Sequence, residues 1–287
     1  MFDSIGNSWS LIKSSAKVLE ADRELIIFPI LSGIAVLLLT AVFFVPMLLV
    51  GYFGRMANQG LQIVDYLILF LFYLIQYLLI FFCNTALVGA AMIRIRGGDP
   101  TVRDGLKIAS DRFTSIFFYA LIASTVGMLL SLIKERGSAF SRIVVSLIGF
   151  VWNVATFLVV PILAVEDVGP IEAIKRSVGY LKKTWGEQLV GSFSIGLIFN
   201  LIIFILILGT AGVVFMLISA GAQVWAIAAA VIVAIIFILG ISLVNTTLTG
   251  IYTAAVYQFA ATGDAGSFFD TDAVQNAFQP AARNKII

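Results

Sequence analysis

Six long apolar runs, separated by polar breaks, form the main pattern of hydrophobic and polar positions along the chain. A membrane-spanning helix needs about 20 mostly apolar residues to cross a hydrocarbon core about 30 Å thick, and these runs are long enough. Short breaks join the runs in pairs, whereas longer polar segments separate the pairs, so the pattern predicts three helical hairpins. The six predicted spans are Leu25–Phe53, Ile63–Ile93, Ser115–Ile133, Ile143–Val165, Leu189–Ile218 and Val224–Phe259.

A polar segment with apolar residues at helical spacing precedes each hairpin. Apolar residues three or four positions apart form one stripe of a helix, which is typical of a helix lying on a membrane surface or on a bundle. Pro170 suits the first position of the third such helix, and Asp99 and Pro100 suit the cap and first position of the second. The three predicted stripes are Phe2, Ile5, Trp9, Ile12, Ala16 and Leu19; Val102, Leu106, Ala109 and Phe113; and Ile171, Ile174, Val178, Leu181 and Trp185.

The chain is therefore predicted to repeat one unit, an elbow helix followed by a hairpin. We predict a single transmembrane domain over residues 1–287, with internal repeats at approximately 1–98, 99–168 and 169–262 related by an axis along the membrane normal. The predicted fold class is all-α integral membrane: six transmembrane helices as three parallel-repeat hairpins, each preceded by an amphipathic interfacial helix. The alternative is that short amphipathic linkers recur in any polytopic protein.

The distribution of basic residues predicts the orientation of the spans. Cytoplasmic loops carry an excess of Lys and Arg, and with six spans most of the 18 basic residues fall on the side of the N-terminus. Both termini are therefore predicted to be cytoplasmic, in a multi-pass protein of the cell membrane. On that side, residues 263–287 are predicted to form a tail whose short helix docks through Val274 and Phe278. The basic residues on the opposite side are Arg55, Lys134, Arg136 and Arg142.

The composition limits the classes of function. Hydrophobic residues make up 61% of the chain and charged residues 12%, against about 25% charged in an average soluble domain. The net charge of +2 gives no reason to expect a nucleic-acid partner. The chain has no histidine and one cysteine, which excludes histidine-based acid–base chemistry and the usual zinc ligand sets. Phosphate-binding glycine loops and metal-ligand clusters are also missing from the sequence, so we expect no enzyme activity, no cofactor and no metal.

Three segments carry a resemblance to one protein family: SWSLIKSSAKVL near the N-terminus, PILAVEDVGPIEAIKRSVGYLKKTWGEQLVG in the centre and YQFAATGDAGSFF near the C-terminus. Together they resemble an uncharacterised prokaryotic family of multi-pass membrane proteins, a domain of unknown function. The resemblance covers nearly the whole chain, implies a prokaryotic membrane protein and transfers no activity. The central segment is also similar, more weakly, to membrane domains accompanying glycerophosphodiester phosphodiesterases, whose catalytic domain has no counterpart in this sequence.

Two sets of polar residues are candidates for function. The basic residues of the elbow helices are candidate contacts for anionic lipid at the inner leaflet, although the same charges also set topology. The asparagines within the spans either line a path for a small polar or amphiphilic molecule or act as interhelical glue. The candidate lipid contacts are Lys13, Lys17, Arg103, Lys107, Arg112, Lys175, Arg176, Lys182 and Lys183, and the candidate glue or path residues are Asn84, Asn153, Asn200 and Asn245.

The favoured function is non-enzymatic: a polytopic membrane protein that organises lipid or protein partners at the inner leaflet. Membrane lipids are the expected partners, together with a cytoplasmic or membrane protein that the sequence does not identify. The alternative function is a passive channel or carrier for a small amphiphile through the helix bundle. Ion-coupled transport is disfavoured, because no Asp, Glu, Lys or Arg lies near the middle of any predicted span.

Overall fold

The computed structural model describes residues 2–136, 138–185 and 194–275, and within these ranges every regular element is a helix. One turn of 3-10 helix at Arg23–Ile26 precedes the second α-helix. The α-helices are α1 (Phe2–Ala21), α2 (Ile27–Leu49), α3 (Tyr52–Gln59), α4 (Ile63–Ile95), α5 (Val102–Asp111), α6 (Phe113–Arg136), α7 (Ala139–Ala155), α8 (Val159–Val165), α9 (Pro170–Trp185), α10 (Ser194–Ser219), α11 (Val224–Thr262) and α12 (Thr271–Gln275).

Six helical stretches of the described chain are long and apolar enough to cross a membrane. They confirm the six predicted apolar spans and the all-helical class, and on length and composition they indicate a multi-pass membrane protein. The start of the predicted fifth span, residues 189–193, lies outside the described residues. The stretches are Arg23–Leu49, Ile63–Ile95, Phe113–Lys134, Phe140–Val165, Phe199–Ser219 and Val224–Thr262.

The first turn between spans, predicted as a simple break at Gly54–Gln62, contains the helix α3. The Tyr52 hydroxyl and the Arg55 guanidinium both donate hydrogen bonds to the carboxylate of Asp65, at the start of α4. The Gln62 backbone N–H donates to the other carboxylate oxygen at 2.7 Å. A buried carboxylate is tolerated when it is paired and hydrogen-bonded, so these donors explain why Asp65 is buried. We call this side of the bundle, with the α6–α7 and α10–α11 turns, the turn end.

The fourth span is interrupted between α7 and α8 by a turn at residues 156–158. Pro161 has no N–H to donate to the carbonyl of Phe157, and its ring crowds that carbonyl, which breaks the helical ladder at this point. The N–H of Leu158 instead donates to the Ser177 hydroxyl of α9 at 3.2 Å, and both residues are buried. The break in this span therefore holds α9 against the bundle.

The side opposite the turn end contains most of the buried core, and we call it the elbow end: α1, α5, α9 and residues 263–275. The central helix of the bundle is α4, which packs against α2, α5, α6, α8 and α11. The approach of α5 is close because Gly105 has no side chain. A Cβ at Gly105 would lie 2.5 Å from Cζ of Phe28 and 2.7 Å from the carbonyl oxygen of Ala86.

The start of one elbow helix was predicted correctly and the start of another was not. The α9 helix begins at Pro170, as predicted. The α5 helix begins after Thr101, so the predicted first residue Pro100 and the predicted cap Asp99 are wrong. The Thr101 hydroxyl accepts from the Asp104 N–H at 3.3 Å, and the Asp104 carboxylate accepts from the Thr101 N–H at 2.9 Å. This reciprocal cap satisfies two donors at the helix start, whereas Asp99 pairs with an arginine of α4.

The buried face of α9 differs from its predicted apolar stripe. Ile171 and Val178 are 63% and 43% exposed, although the last two members of the stripe are buried. The face that packs on the bundle instead contains Ala173 and Ser177, both fully buried. Small residues at this spacing allow the backbone of a helix to come close to its neighbours. Close packing thus selects the small residues for the buried face and leaves the larger apolar residues outside.

The α1 helix shows a similar rotation of its buried face. Trp9, a member of the predicted stripe, is 51% exposed, and Leu11, outside the stripe, is buried, whereas Ile12 of the stripe is buried as predicted. The side chains of Phe2 and Ile5, which open that stripe, lie outside the described residues. Of the elbow helices, α1 and α9 therefore carry exposed apolar side chains on the surface that does not pack on the bundle.

Candidate functional site

Contacts across the elbow end connect segments that are far apart in the chain. The Arg112 guanidinium forms an ion pair with Asp167, which joins the end of α5 to the segment before α9. The Arg94 guanidinium donates a hydrogen bond to the carbonyl oxygen of Ala21 at 2.7 Å, which joins α4 to the end of α1. The polar segments that precede the hairpins therefore lie together at one end of the bundle.

A single carboxylate, that of Glu166, connects three helices at this end. It accepts hydrogen bonds from the hydroxyl of Tyr257 at 2.8 Å and from the hydroxyl of Tyr180 at 3.1 Å, and it pairs with Arg176. Burial, and then the hydrogen bond to Glu166, raise the pKa of Tyr180 above its ordinary value. The hydrogen bond to Glu166 also raises the pKa of Arg176, so the guanidinium keeps its charge. The end of α8, the middle of α9 and the end of α11 are thus fixed to one another.

The segment after the last span returns to the elbow helices. The indole N–H of Trp185, at the end of α9, donates to the carbonyl oxygen of Gln275 at 3.1 Å. Val274 of the short helix α12 is fully buried, as its predicted docking role requires. Phe278, the other residue predicted to dock, lies outside the described residues.

The nine candidate lipid contacts occupy two different environments at the elbow end. Arg112 and Arg176 are held in ion pairs with carboxylates of the same chain. These two arginines therefore connect helices to one another. The other seven have exposed side chains: Lys13, Lys17, Arg103, Lys107, Lys175, Lys182 and Lys183.

The outer face of α9 combines apolar and basic side chains. Ile171, Lys175, Val178 and Lys182 follow one another at spacings of three and four residues, which places them on one side of the helix. All four are exposed. At a membrane surface, branched apolar side chains enter the hydrocarbon boundary while lysines extend their charge toward the headgroups. This face has the chemistry of a helix that lies in the membrane interface.

The outer face of α1 carries a related group of residues. Trp9, Lys13 and Lys17 are spaced four residues apart and are all exposed. The Lys13 ammonium nitrogen lies 5.8 Å from the centre of the Trp9 ring, within the range of a cation–π contact. Tryptophan is enriched at membrane–water interfaces, where its ring is apolar and its N–H meets water. The elbow helices α1 and α9 thus each present an apolar and a cationic group side by side.

The four candidate asparagines lie on different helices. Asn84 on α4 is partly buried, Asn153 on α7 and Asn200 on α10 are exposed, and Asn245 on α11 is partly buried. The amide oxygen of Asn245 accepts a hydrogen bond from the Thr249 hydroxyl at 3.4 Å. Within the described residues no hydrogen bond joins any two of these asparagines. Their role as glue or as a path thus stays a prediction. Among the four, Asn153 differs in that it lies beside a cavity.

A cavity of about 370 Å³ lies between α4, α6, α7 and the start of α8, and Asn153 is part of its wall. Aromatic side chains form much of the wall: the rings of Phe81 and Tyr119 have their centres 4.5 Å apart. The Tyr119 hydroxyl interacts with Thr156, at the break in the fourth span. Helix breaks in membrane proteins are tolerated where they line a cavity or are satisfied by neighbouring groups, and this break does both.

Sequence reasoning missed three parts of this architecture. The role of Glu166 could not be predicted from the sequence, because the tyrosines that donate to it lie on two other helices, α9 and α11. The predicted stripe of α9 leaves out Ser177. Its position four residues after Ala173, another small residue, is nevertheless typical of a face that packs closely on a neighbouring helix. The cavity could not be read from the sequence, because its wall comes from four separate helices.

Within the described residues the chain is a helical bundle joined at one end by short polar helices, and the length and composition of its six apolar stretches indicate a multi-pass membrane protein. The chain belongs to the family described as "Family of unknown function (DUF6159)", whose model matches residues 63–268, well over half of the chain. This confirms the part of the resemblance that named an uncharacterised family. The match begins at α4, so α1 to α3 precede it. No curated protein and no solved structure matches the chain.

Proposed function

We propose that this protein is a non-enzymatic membrane protein that binds anionic lipid at the inner leaflet through its elbow helices and organises lipid or protein partners there. The observation that carries the proposal is the outer face of α9. Ile171 and Val178 are exposed beside Lys175 and Lys182, on the side of the helix that does not pack on the bundle. Apolar burial and attraction to anionic headgroups act together on such a face.

The size of the electrostatic contribution supports this function. Each Lys or Arg near an anionic membrane surface contributes about 1 kcal/mol of attraction, which salt screens. Seven of the nine candidate basic residues are exposed, so their charges are free to meet headgroups. Arg112 and Arg176 are excluded from this role, because their charges are paired within the chain.

The proposal includes the finer features of the architecture and location. The elbow end faces the cytoplasm of a prokaryotic cell, with both termini on that side, because most basic residues fall there. The three hairpins are parallel repeats, each introduced by α1, α5 or α9, and each of these helices lies in the interface. The contacts between Arg112 and Asp167 and between Arg94 and Ala21 support a common side for these helices. The weaker likeness to the membrane domains of glycerophosphodiester phosphodiesterases contributes no activity to this proposal.

The alternative function, a passive channel or carrier for a small amphiphile, has one observation in its favour. Asn153 lies in the wall of a cavity that also contains Thr156 and Tyr119. A path through the bundle needs a continuous polar lining, and the wall of this cavity includes no second candidate asparagine. Lipid binding at the elbow end is therefore the better supported function.

The test replaces two lysines of the α9 face, Lys175→Gln together with Lys182→Gln. We expect the variant to insert normally and to co-purify with less anionic phospholipid, measured by native mass spectrometry after gentle extraction from the membrane. The loss should be largest at low ionic strength, because salt screens the same attraction in the wild type. The matched control replaces two exposed basic residues of the turn end, Lys134→Gln with Arg142→Gln. An unchanged lipid content in the α9 variant, or an equal loss in the control, would refute the proposal.

A further inference from the structure

The cavity between α4, α6, α7 and α8 has the size and composition of a binding site. Its volume of about 370 Å³ falls within the range of roughly 300–1,000 Å³ that is common for small-molecule sites. Such sites are lined mainly by apolar and aromatic groups, with a few polar groups that fix the orientation of the ligand. The wall of this cavity follows that pattern, with Phe81, Leu130, Trp152 and Val160 as the larger apolar members and Asn153 among the polar ones.

The state of Asn153 indicates that something outside the described chain completes the site. Its side chain is exposed and makes no hydrogen bond to any other described residue. It nevertheless lies inside the apolar stretch Phe140–Val165, where no water is available if the stretch spans a membrane. An amide without a partner is costly in an apolar medium. A ligand with a hydrogen-bonding group would satisfy it.

The charge of the wall defines the class of ligand. Among the residues of the wall, all of them within the described chain, none carries a charged side chain. A charged headgroup would be left without a partner there, which is unfavourable in a low-dielectric site. Because Asn153 is exposed at membrane depth, the cavity is reached sideways from the bilayer.

We propose that this cavity binds one uncharged lipid from the bilayer, whose hydroxyl or carbonyl group is hydrogen-bonded by the Asn153 amide and whose chain packs against Phe81, Leu130 and Val160. A diacylglycerol represents this class, because it carries one free hydroxyl and two ester carbonyls and no charge. The site is separate from the α9 face and does not depend on the lysines of the elbow helices.

Trp152 supplies a native reporter, because its indole forms part of the wall. The protein is placed in nanodiscs that contain increasing fractions of a diacylglycerol with dibrominated acyl chains, which quenches nearby tryptophan fluorescence. The fluorescence of Trp152 itself is obtained as the difference between the tryptophan fluorescence of the wild type and that of Trp152→Phe. The matched probe is a phosphatidylcholine with the same brominated chains, since it presents the same chains with a zwitterionic headgroup that carries two formal charges. We expect quenching of Trp152 to saturate at a low fraction of the diacylglycerol and to rise only gradually with the phosphatidylcholine.

Two variants test the site itself. Gly149→Leu fills the cavity, because a Cβ at Gly149 has room, with its nearest neighbour, Cδ1 of Leu130, at 4.0 Å. It should abolish the saturable quenching. Its control is Gly33→Leu, a substitution into open space on α2. Asn153→Leu should raise the half-saturating fraction of diacylglycerol about tenfold, which corresponds to about 1.4 kcal/mol. Its control is Asn200→Leu, an exposed asparagine on another helix.

Each outcome supports or overturns the proposal. Equal quenching by the two brominated lipids would mean contact with ordinary surrounding lipid only, and would overturn it. Unchanged quenching in both Gly149→Leu and Asn153→Leu would also overturn it. If Gly149→Leu does not give a monodisperse protein, Asn153→Leu against its control decides alone. If the Lys175→Gln, Lys182→Gln protein retains the saturable quenching, lipid binding in the cavity does not depend on the lysines of the α9 face. The two proposals then stand or fail independently.

Discussion

The elbow end is held together differently from the outer half of the last hairpin, which is the part of α10 and α11 nearest the turn end. At the elbow end, buried side chains and hydrogen bonds connect segments that are far apart in the sequence, as from Glu166 to Tyr257. In the outer half of the last hairpin, no residue of the most apolar 18-residue stretch of either α10 or α11 is buried inside the bundle. Its hydroxyl hydrogen bonds, from Thr210 and Ser219, go to carbonyl groups one turn earlier in the same helix.

This difference shows which part of the sequence encodes specific packing. An open apolar groove of about 800 Å³ lies between α10 and α11, lined by residues such as Gly209 and Ala230. In a membrane, lipid chains fill such a groove, and they accept many apolar side chains equally well because there is no hydrophobic gain between helices. At the elbow end, a particular hydroxyl or a missing side chain decides whether the helices fit. Substitutions should therefore destabilise the fold far more at the elbow end than in the last hairpin.

The largest expected effect is that of Gly105→Leu at the elbow end. A Cβ at this position would lie 2.5 Å from Phe28 Cζ and 2.7 Å from the carbonyl oxygen of Ala86, so the helices must separate. Overpacking typically costs about 1–3 kcal/mol and more when backbone is in the way. We expect little monodisperse protein by size-exclusion chromatography in detergent. The same change in the last hairpin, Gly212→Leu, meets open space and should behave like wild type. A normal yield of Gly105→Leu would contradict the packing described for α5.

A smaller effect is expected from Ser177→Ala. This change leaves the buried N–H of Leu158 without an acceptor at the break in the fourth span. An unsatisfied buried donor costs about 1–3 kcal/mol, so the thermal unfolding midpoint Tm should fall by several degrees. The control is Ser219→Ala in the last hairpin, whose hydroxyl bonds only within its own helix. Equal Tm values for the two variants would show that the break does not need Ser177.

The comparison also explains how much of the fold could be predicted from the sequence. Apolar length alone predicts the spans, because every long apolar segment must become a helix in a membrane. The bounds of the second span, Ile63–Ile93 against the observed Ile63–Ile95, show how well this works. The preference of proline for the first position of a helix predicts Pro170 at the start of α9. These features depend on neighbours within one segment.

The candidate site was harder to predict, because it depends on contacts between segments. Arg112 and Arg176 have the same sequence signature as the exposed lysines, and only the fold shows that carboxylates of the chain neutralise them. The predicted stripe of α9 is wrong for a related reason. Hydrophobicity predicts that Val178 is buried, whereas close helix packing favours burial of the smaller Ser177. The cavity beside Asn153 depends on the break between α7 and α8 and on two other helices, α4 and α6, which no local pattern contains.

The smallest expected effect is on the pH dependence of stability, and it distinguishes the polar network of the elbow end from the rest of the bundle. Burial, and then the hydrogen bond to Glu166, raise the pKa of Tyr180 above the value of about 10 for a free tyrosine. A raised folded-state pKa means that the neutral phenol stabilises the fold fully below pH 10 and that this stability is lost as the pH rises through the folded pKa. The Tm of wild type should therefore fall more steeply above pH 10 than the Tm of Tyr180→Phe. The control Tyr73→Phe, an exposed tyrosine of α4, should keep the wild-type slope. A wild-type slope in Tyr180→Phe as well would show that the hydrogen bond between Tyr180 and Glu166 does not contribute to stability.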